Sequence, residues 1–402
     1  MIKYLKQSVQ WHITEVCPNR CKHCYIGGIS NEERRKNELS IDKLISILDN
    51  LKAFEDKYDA ELKRFAVTGG DPFEYADFER FLDELSVRGK EINILGIPER
   101  VTKENLEMLS KYNVTTYQVS LDGMKNTHDM IRGEGSFDKT IEALKFIENK
   151  SSIKAHIMYT INRENCDEMF DLIDYLLKED ISALFSFDFM VLEGNAKSNL
   201  NLLEKDKVDE ILDRYRKIRM KLKHTNSKLV LKEKIKLFET FNINDANKKF
   251  KKYSYISGCS CGIASISILP NGNLLACRRL PVVIGNLVTE DYAELFFNNP
   301  IMRKLRRISS FKECNNCDYA KVCRGCPALA YSVTGDIFGA MPYCNKKKEI
   351  IPLLNEPAID CSLEEERAYL TNNLAAAIEK EGVEQNMCAI KYNIYLNCLI
   401  RN

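Results

Sequence analysis

The sequence carries almost no net charge. Its 59 Lys and Arg residues balance 58 Asp and Glu to a formal +1, so no overall field draws in nucleic acid or a membrane surface. It has no apolar run long enough to cross a bilayer, and the start Met1-Ile2-Lys3-Tyr4-Leu5-Lys6 lacks a signal-peptide core. Without an export signal, the fifteen cysteines argue against a disulfide framework and for metal ligation in a reducing cytoplasm. The 402 residues suffice for one barrel-sized domain and a smaller one, and 45% hydrophobic with 29% charged residues is the balance of a globular protein.

What is abundant is cysteine at short spacing. Cys17, Cys21 and Cys24 form Cys-x3-Cys-x2-Cys, which lets one loop offer three thiolates to an iron–sulfur cube and leaves the fourth iron without a protein ligand. A zinc knuckle is the competing reading, with His12 or His23 as fourth ligand, and three unrelated buried thiols are another. Downstream, Cys261 is followed by Gly272 and Cys277, and then by Cys314-x2-Cys317-x5-Cys323-x2-Cys326 and Cys344. Close pairs of this kind are also zinc spacing.

The triad resembles that of the radical S-adenosylmethionine (SAM) enzymes, and the downstream order resembles their SPASM extension. The resemblance covers about residues 8–348, and the two-residue gap between Cys323 and Cys326 departs from the family's usual three. It implies a [4Fe-4S] cluster on Cys17, Cys21 and Cys24 whose open iron binds SAM, and two auxiliary iron–sulfur clusters. Cys314, Cys317, Cys323 and Cys344 would hold the outer one. Cys277, Cys326, Cys259 and Cys261 would hold the inner one, which has an open iron if Cys259 is not a ligand.

Strand and helix patterns alternate along the first half. Residues 8–14, 64–68, 91–95, 116–121, 154–161 and 183–190 read as short apolar strands. Between them, residues 41–54, 75–85, 103–109, 140–147 and 168–177 repeat apolar positions at three and four. Right-handed parallel βα units follow, hence an α/β fold with an open (β/α)6 TIM-like partial barrel, the architecture the resemblance also implies. The expected organisation is a barrel over 1–225, a helical linker over 226–258, a cysteine-rich SPASM domain over 259–350 and a helical C-terminal extension over 351–402.

In such barrels the chemistry lies beyond the C-terminal strand ends, and the triad follows the first strand. Thr68-Gly69-Gly70-Asp71 follows the second, and its glycines permit a backbone approach that side chains would block. By resemblance it is the family's GGE motif with Asp71 at the acidic position, receiving the SAM amino group. The resemblance also makes Ser120 and Arg132 contacts of the cofactor carboxylate or ribose and Asn162 a contact near the ribose, while Tyr25 and His23 shield the cube and line the adenine. An ordinary salt bridge of Arg132 with Asp129 or Glu134 is the alternative.

The implied chemistry is reduction by a flavodoxin or ferredoxin, cleavage of SAM to a 5′-deoxyadenosyl radical, and hydrogen abstraction from a ribosomally made peptide to give a crosslink, thioether or dehydrogenated product. Epimerisation would need a hydrogen donor, for which Cys166 is distant and better read as core packing. Formylglycine maturation is disfavoured, because Arg278 and Arg279 follow Cys277 where those relatives carry a carboxylate. A tetrapyrrole or other small molecule is the runner-up substrate, and a non-catalytic electron carrier is the reading from another class. Sixteen residues before Cys17 leave no room for a leader-recognition domain, so recognition is expected in a separate protein or on another surface. Residues 205–252, with sixteen Lys/Arg against seven Asp/Glu, are a docking candidate for an acidic leader, although a solvated helix face explains most such runs. In the tail, residues 363–377 read as a helix, and Cys361, Cys388 and Cys398 as free thiols.

Overall fold

The computed structural model describes residues 5–27, 29–199, 201–232, 258–314, 317, 323 and 325–344. The expected tail helix, Cys361, Cys388, Cys398 and most of the expected linker lie outside the described residues. One sheet organises everything described. Strands β1 (Leu5–His12), β2 (Ala60–Thr68), β3 (Glu91–Leu95), β4 (Val114–Ser120), β5 (Lys154–Ile161) and β6 (Ala183–Phe189) pair in chain order, all parallel. These are the six expected strands. Each is followed by a helix that packs back on the sheet, the arrangement of an open (β/α)6 barrel.

The helices form where the apolar spacing demands. Ile41–Tyr58 buries Ile41, Leu44, Ile47, Leu48, Leu51 and Phe54 along one stripe, and ends at Asp59 in the left-handed conformation (φ 48°). Trp11 of β1 is fully buried and meets Phe81 edge-on at 5.1 Å. Where the same helix meets β2, buried Glu55 takes the Lys90 ammonium at 2.6 Å and the Leu62 amide at 2.6 Å, so a charge below the core is paired on both oxygens.

Two features depart from the expectation. Leu229–Leu231 forms β7, parallel to β6, inside the segment expected to be a helical linker. Its Leu-Val-Leu run alternates buried and exposed and continues the sheet by one step. At the opposite edge, β8 (Ser265–Ile268) pairs in parallel with β1 and leads into the antiparallel strands β9 (Asn273–Cys277) and β10 (Leu280–Asn286). The sheet is therefore ten-stranded, in the order β10-β9-β8-β1-β2-β3-β4-β5-β6-β7. The cysteine-rich part begins as a continuation of the barrel sheet.

Side chains lock that junction. Tyr292 donates its hydroxyl to Gln7 Oε1 (2.8 Å), and Gln7 Nε2 donates to the Ile263 carbonyl (3.1 Å). Phe54 packs edge-on against Tyr292 at 4.7 Å and Phe296 at 5.7 Å. Arg306, 1% exposed, lies over the Phe296 ring and donates to the Gly262 and Phe296 carbonyls, which satisfies a cation in the seam. Among the described residues no helix is long and apolar enough to cross a membrane.

Candidate functional site

The triad loop leaves β1 at the C-terminal edge of the sheet, and its backbone is held from four sides. The Cys17 carbonyl accepts from Asn31 Nδ2 (3.0 Å), and the Cys21 and Cys24 carbonyls from Asn195 Nδ2 (3.2 Å) and N (2.9 Å). Arg34 donates to the carbonyls of Glu15 (3.1 Å) and Ile26 (2.9 Å), and the Lys22 amide donates to Ile131 (2.9 Å). The carbonyls of all three cysteines are thus engaged, which fixes the backbone from which the thiols project. Cys17, Cys21 and Cys24 influence one another electrostatically, and burial pushes the Cys17 thiol up to about 12 and Cys24 upward as well. Ligation requires thiolates, so a cluster bound here would displace the thiol protons that burial otherwise retains. Among the described residues no three His, Cys, Asp or Glu side chains converge on one point. Each thiolate on a cube binds a different iron, so a cube asks for no such convergence.

The glycine turn sits directly beneath this loop. The Gly70 amide donates to the Thr14 carbonyl (3.1 Å) and the Asp71 amide to Val16 (2.8 Å). A Cβ on Gly69 would lie 2.0 Å from the Thr14 oxygen, and one on Gly70 2.2 Å from the Val16 oxygen. The close backbone approach expected of these glycines is made by the residues leading into the triad. Thr68 donates its hydroxyl to the Leu95 carbonyl (3.2 Å), which joins the ends of β2 and β3. Asp71 is fully buried and paired with Arg100 Nε at 2.6 Å; burial nonetheless raises its carboxyl above the usual range.

Asp122, beyond the end of β4, is the electrostatic node. Its Oδ2 lies 2.5 Å from Arg132 Nε and 3.2 Å from His23 Nε2, and its Oδ1 accepts from the Thr160 amide at 2.6 Å. Burial alone would raise this carboxyl, but Arg132 first and then His23 hold it well below the carboxylate range. Arg132 in turn donates to Cys21 Sγ (3.6 Å) and lies 3.1 Å from His23 Nε2. Asp129 and Glu134, the alternative partners weighed for Arg132, do not take it. Asp129 instead accepts from the Gly135 (3.0 Å) and Phe137 (2.8 Å) amides.

The other predicted residues fall as follows. Ser120 ends β4 and is partly buried. Tyr25 is partly buried, with the Arg278 guanidinium over its ring at 4.7 Å. Asn162 is fully buried, and its side chain is spent locally on the Thr160 carbonyl (3.4 Å) and the Glu164 amide (2.9 Å). Cys166 is 6% exposed and packs in the core, as the sequence suggested.

The downstream cysteines gather into two groups. Cys261 hydrogen-bonds with Cys259 and Cys277, and Cys326 feels the charges of Cys259 and Cys277. Cys314 is pushed up to about 12 by burial and then by Cys323, Cys317 and Cys344. These are the four-residue sets expected for the inner and outer clusters. Arg279 bridges the inner group to the barrel: it donates to Asp188 Oδ1 (2.8 Å) and the Phe189 carbonyl (2.8 Å) at the end of β6, and reaches Cys326 Sγ at 3.9 Å. Asp122, Arg100 and Asn195 escaped the sequence reading, and Arg279 entered it only as a missing carboxylate. Only Asp122 carried a local signal, because it stands at a strand's C-terminal end between Ser120 and Gly123.

Comparison with known proteins agrees with this geometry. The Radical SAM superfamily profile matches residues 11–176, and the SPASM iron–sulfur cluster-binding domain profile matches residues 259–327. The chain is 25% identical over 343 residues to the AdoMet-dependent heme synthase of Methanosarcina barkeri, covering 84% of this chain and 95% of that protein. It is 24% identical over 327 residues to the antilisterial bacteriocin subtilosin biosynthesis protein AlbA of Bacillus subtilis, covering 79% of this chain and 66% of AlbA. Streptococcus suis SuiB, in its crystal structure with S-adenosylmethionine, shares the fold with a TM-score of 0.61 at 16% identity, covering 81% of this chain and 74% of SuiB. SuiB has also been solved bound to its precursor peptide SuiA. This chain therefore belongs to the radical SAM superfamily and carries a SPASM domain, and it is an enzyme of SAM, a SAM-binding [4Fe-4S] cluster and auxiliary iron–sulfur clusters.

Proposed function

We propose that this enzyme removes hydrogen from a ribosomally made peptide and leaves it oxidised, as a crosslink, thioether or dehydrogenated residue. In this reading Cys17, Cys21 and Cys24 hold the SAM-binding cube, and Tyr25, Thr68, Gly69, Gly70, Asp71 and Ser120 line the SAM site. Cys259, Cys261, Cys277 and Cys326 hold an inner auxiliary cluster, and Cys314, Cys317, Cys323 and Cys344 an outer one. When bound, the cube and SAM supply a 5′-deoxyadenosyl radical after one-electron reduction by a flavodoxin or ferredoxin, and the auxiliary clusters supply electron acceptors.

The observation that carries an oxidative outcome is the inner group of four cysteines, tied by Arg279 to the end of β6. Four thiolates complete a cluster's ligands and leave no iron for the substrate. The chain's own residues then supply position. Asp122 and Arg132 hold the triad loop in register with β4, and Gly69 and Gly70 let its backbone pass. Arg279 fixes the inner cysteines against β6, so a substrate between them is held at set distances from both centres. The likeness to AlbA supports a peptide, and exposed Lys217, Lys221 and Lys223 offer an acidic leader a landing surface.

A second reading has its own support, since the likeness to a heme synthase runs over 95% of that protein. One experiment separates the two. Reconstituted enzyme is incubated anaerobically with SAM, dithionite and either the short peptides encoded beside its gene or iron-coproporphyrin III. A peptide lighter by two hydrogens, formed with 5′-deoxyadenosine and absent with Cys24→Ala, is the expected result. A modified porphyrin with unchanged peptides would transfer the assignment to tetrapyrroles.

A further inference from the structure

Arg278 is a buried cation whose pairing is incomplete. Its side chain is 9% exposed, yet its one ionic partner among the described residues is Glu15, at 3.4 Å. A charge-assisted contact of full strength is about 2.7–2.9 Å. Among the described residues its Nε has no hydrogen-bond partner. A guanidinium placed out of water normally has its donors satisfied, because each unpaired donor retains its desolvation cost. Arg306, buried more deeply in the seam, donates to two carbonyls. Arg34 shares an unpartnered Nε but places its Nη atoms on the Glu15 and Ile26 carbonyls and on Asn31 Oδ1, whereas Arg278 has only the long polar contact to Glu15 among the described residues.

Its position is between the two chemical centres. The residue follows Cys277 of the inner group, and its guanidinium lies over the ring of Tyr25, which follows Cys24 of the triad. The Tyr25 hydroxyl feels the charges of both Cys24 and Cys277. His12, 6.1 Å from the same ring, is kept neutral by burial and by Arg278, and its Nδ1 is another buried polar atom without a partner among the described residues. Two unpartnered polar atoms, Arg278 Nε and His12 Nδ1, thus belong to the groups packed around the Tyr25 ring.

We propose that Arg278 is the receptor for a carboxylate of the substrate. A planar carboxylate takes Nε and a neighbouring Nη together, the side-on fork that guanidinium offers, and supplants the long contact to Glu15. The substrate class is then a molecule bearing a carboxylate close to the carbon that loses hydrogen. Resting on the reading above, this is an Asp, Glu or C-terminal carboxylate of the peptide; in a tetrapyrrole the same group is a propionate.

The test is anaerobic titration calorimetry on the reconstituted enzyme with SAM bound. Two matched probe pairs are used: N-acetylglutamate N-methylamide against its glutamine counterpart, and coproporphyrin III against its tetra-amide. In at least one pair the carboxylate should bind about tenfold tighter than the neutral partner, the worth of one charge-assisted hydrogen bond. Arg278→Gln, with iron content equal to wild type, should abolish that preference, and Glu15→Gln should enlarge it by removing the competing anion. Equal binding within both pairs, or a preference that survives in Arg278→Gln, overturns the proposal. So does a tenfold loss of SAM affinity in Arg278→Gln, which would give the anion to the cofactor. A preference confined to the porphyrin pair upholds Arg278 as receptor and overturns the peptide reading instead.

Discussion

Asp122→Asn is the most exacting perturbation of the site, because it changes one charge in an almost unaltered volume. The amide keeps an oxygen for the Thr160 amide but turns an NH2 toward Arg132 Nε and His23, where the carboxylate oxygen stood at 2.5 and 3.2 Å. Asp122 is fully buried and the Arg132 side chain is 18% exposed, so little water replaces the lost anion. Removing one partner of such a pair costs about 3–5 kcal/mol. For a domain somewhat larger than those that lose roughly 2–4 °C per kcal/mol, melting should fall by about 5 °C. The assay is thermal unfolding of the reconstituted protein beside Arg132→Met and the double variant. The double should be destabilised by about 2 kcal/mol less than the sum of the singles, since no buried charge is stranded in it. The folded carboxyl titrates below its unfolded value of about 3.9, so its contribution is complete above that value and lost only as pH falls through the folded one. The gap between wild type and Asp122→Asn should therefore be flat from pH 6 to 8. Melting within about 1 °C of wild type, or strict additivity in the cycle, would refute the reasoning.

Gly70→Ala places a Cβ 2.2 Å from the Val16 carbonyl oxygen, so the loop must shift at a cost of about 1–3 kcal/mol; iron per chain after reconstitution should drop, and unchanged iron would count against the clamp. Arg279→Met removes the ion pair to Asp188 and frees the inner cysteines from β6, so Mössbauer spectra should lose one auxiliary cluster while the SAM-binding one persists. Burial lowers His128 to about 4, with Asp122 N donating to its Nδ1 at 3.0 Å. Its stabilisation is complete above the unfolded value of about 6.5 and lost as pH falls toward the folded one, about 3 kcal/mol in all. His128→Gln should flatten the stability profile between pH 7 and 5, and parallel profiles would contradict the assignment.

The parts of this molecule that were readable in sequence are those specified locally. The six strands of the barrel announce themselves as short apolar runs between helical patterns, and the helix Ile41–Tyr58 by its stripe from Ile41 to Phe54. The cysteine groups were readable because each ligand type repeats at short spacing. What was not readable depends on contacts between distant segments. Arg132 was read as a cofactor contact or, alternatively, as the partner of Asp129 or Glu134, but the turn after its helix points Asp129 at the Gly135 and Phe137 amides and leaves Asp122 for Arg132. The strand Leu229–Leu231 is three residues long in a lysine-rich stretch, too short for a period to register. Arg278 appeared in sequence only as a missing carboxylate; its burial and open Nε exist only once β9 is laid beside the barrel.

The pairing of β8 with β1 also has a consequence in time. Ser8 and Ala264, joined at that seam, are 256 positions apart. At a synthesis rate of about 5–20 residues per second, the strand leading into the triad waits roughly 13–50 s on the ribosome with one edge bare. Its other neighbour, β2, emerges far sooner, so the nascent barrel passes through a half-zipped stage in which the cysteine-triad loop is present and its flank is open to solvent. Such an edge is a template for mispairing with other chains. Slow translation or a shortage of iron during that interval would thus bear on yield before any mature protein exists. Truncations that end before Ser265 would keep the edge bare permanently, and aggregation, more than loss of chemistry, would be their signature.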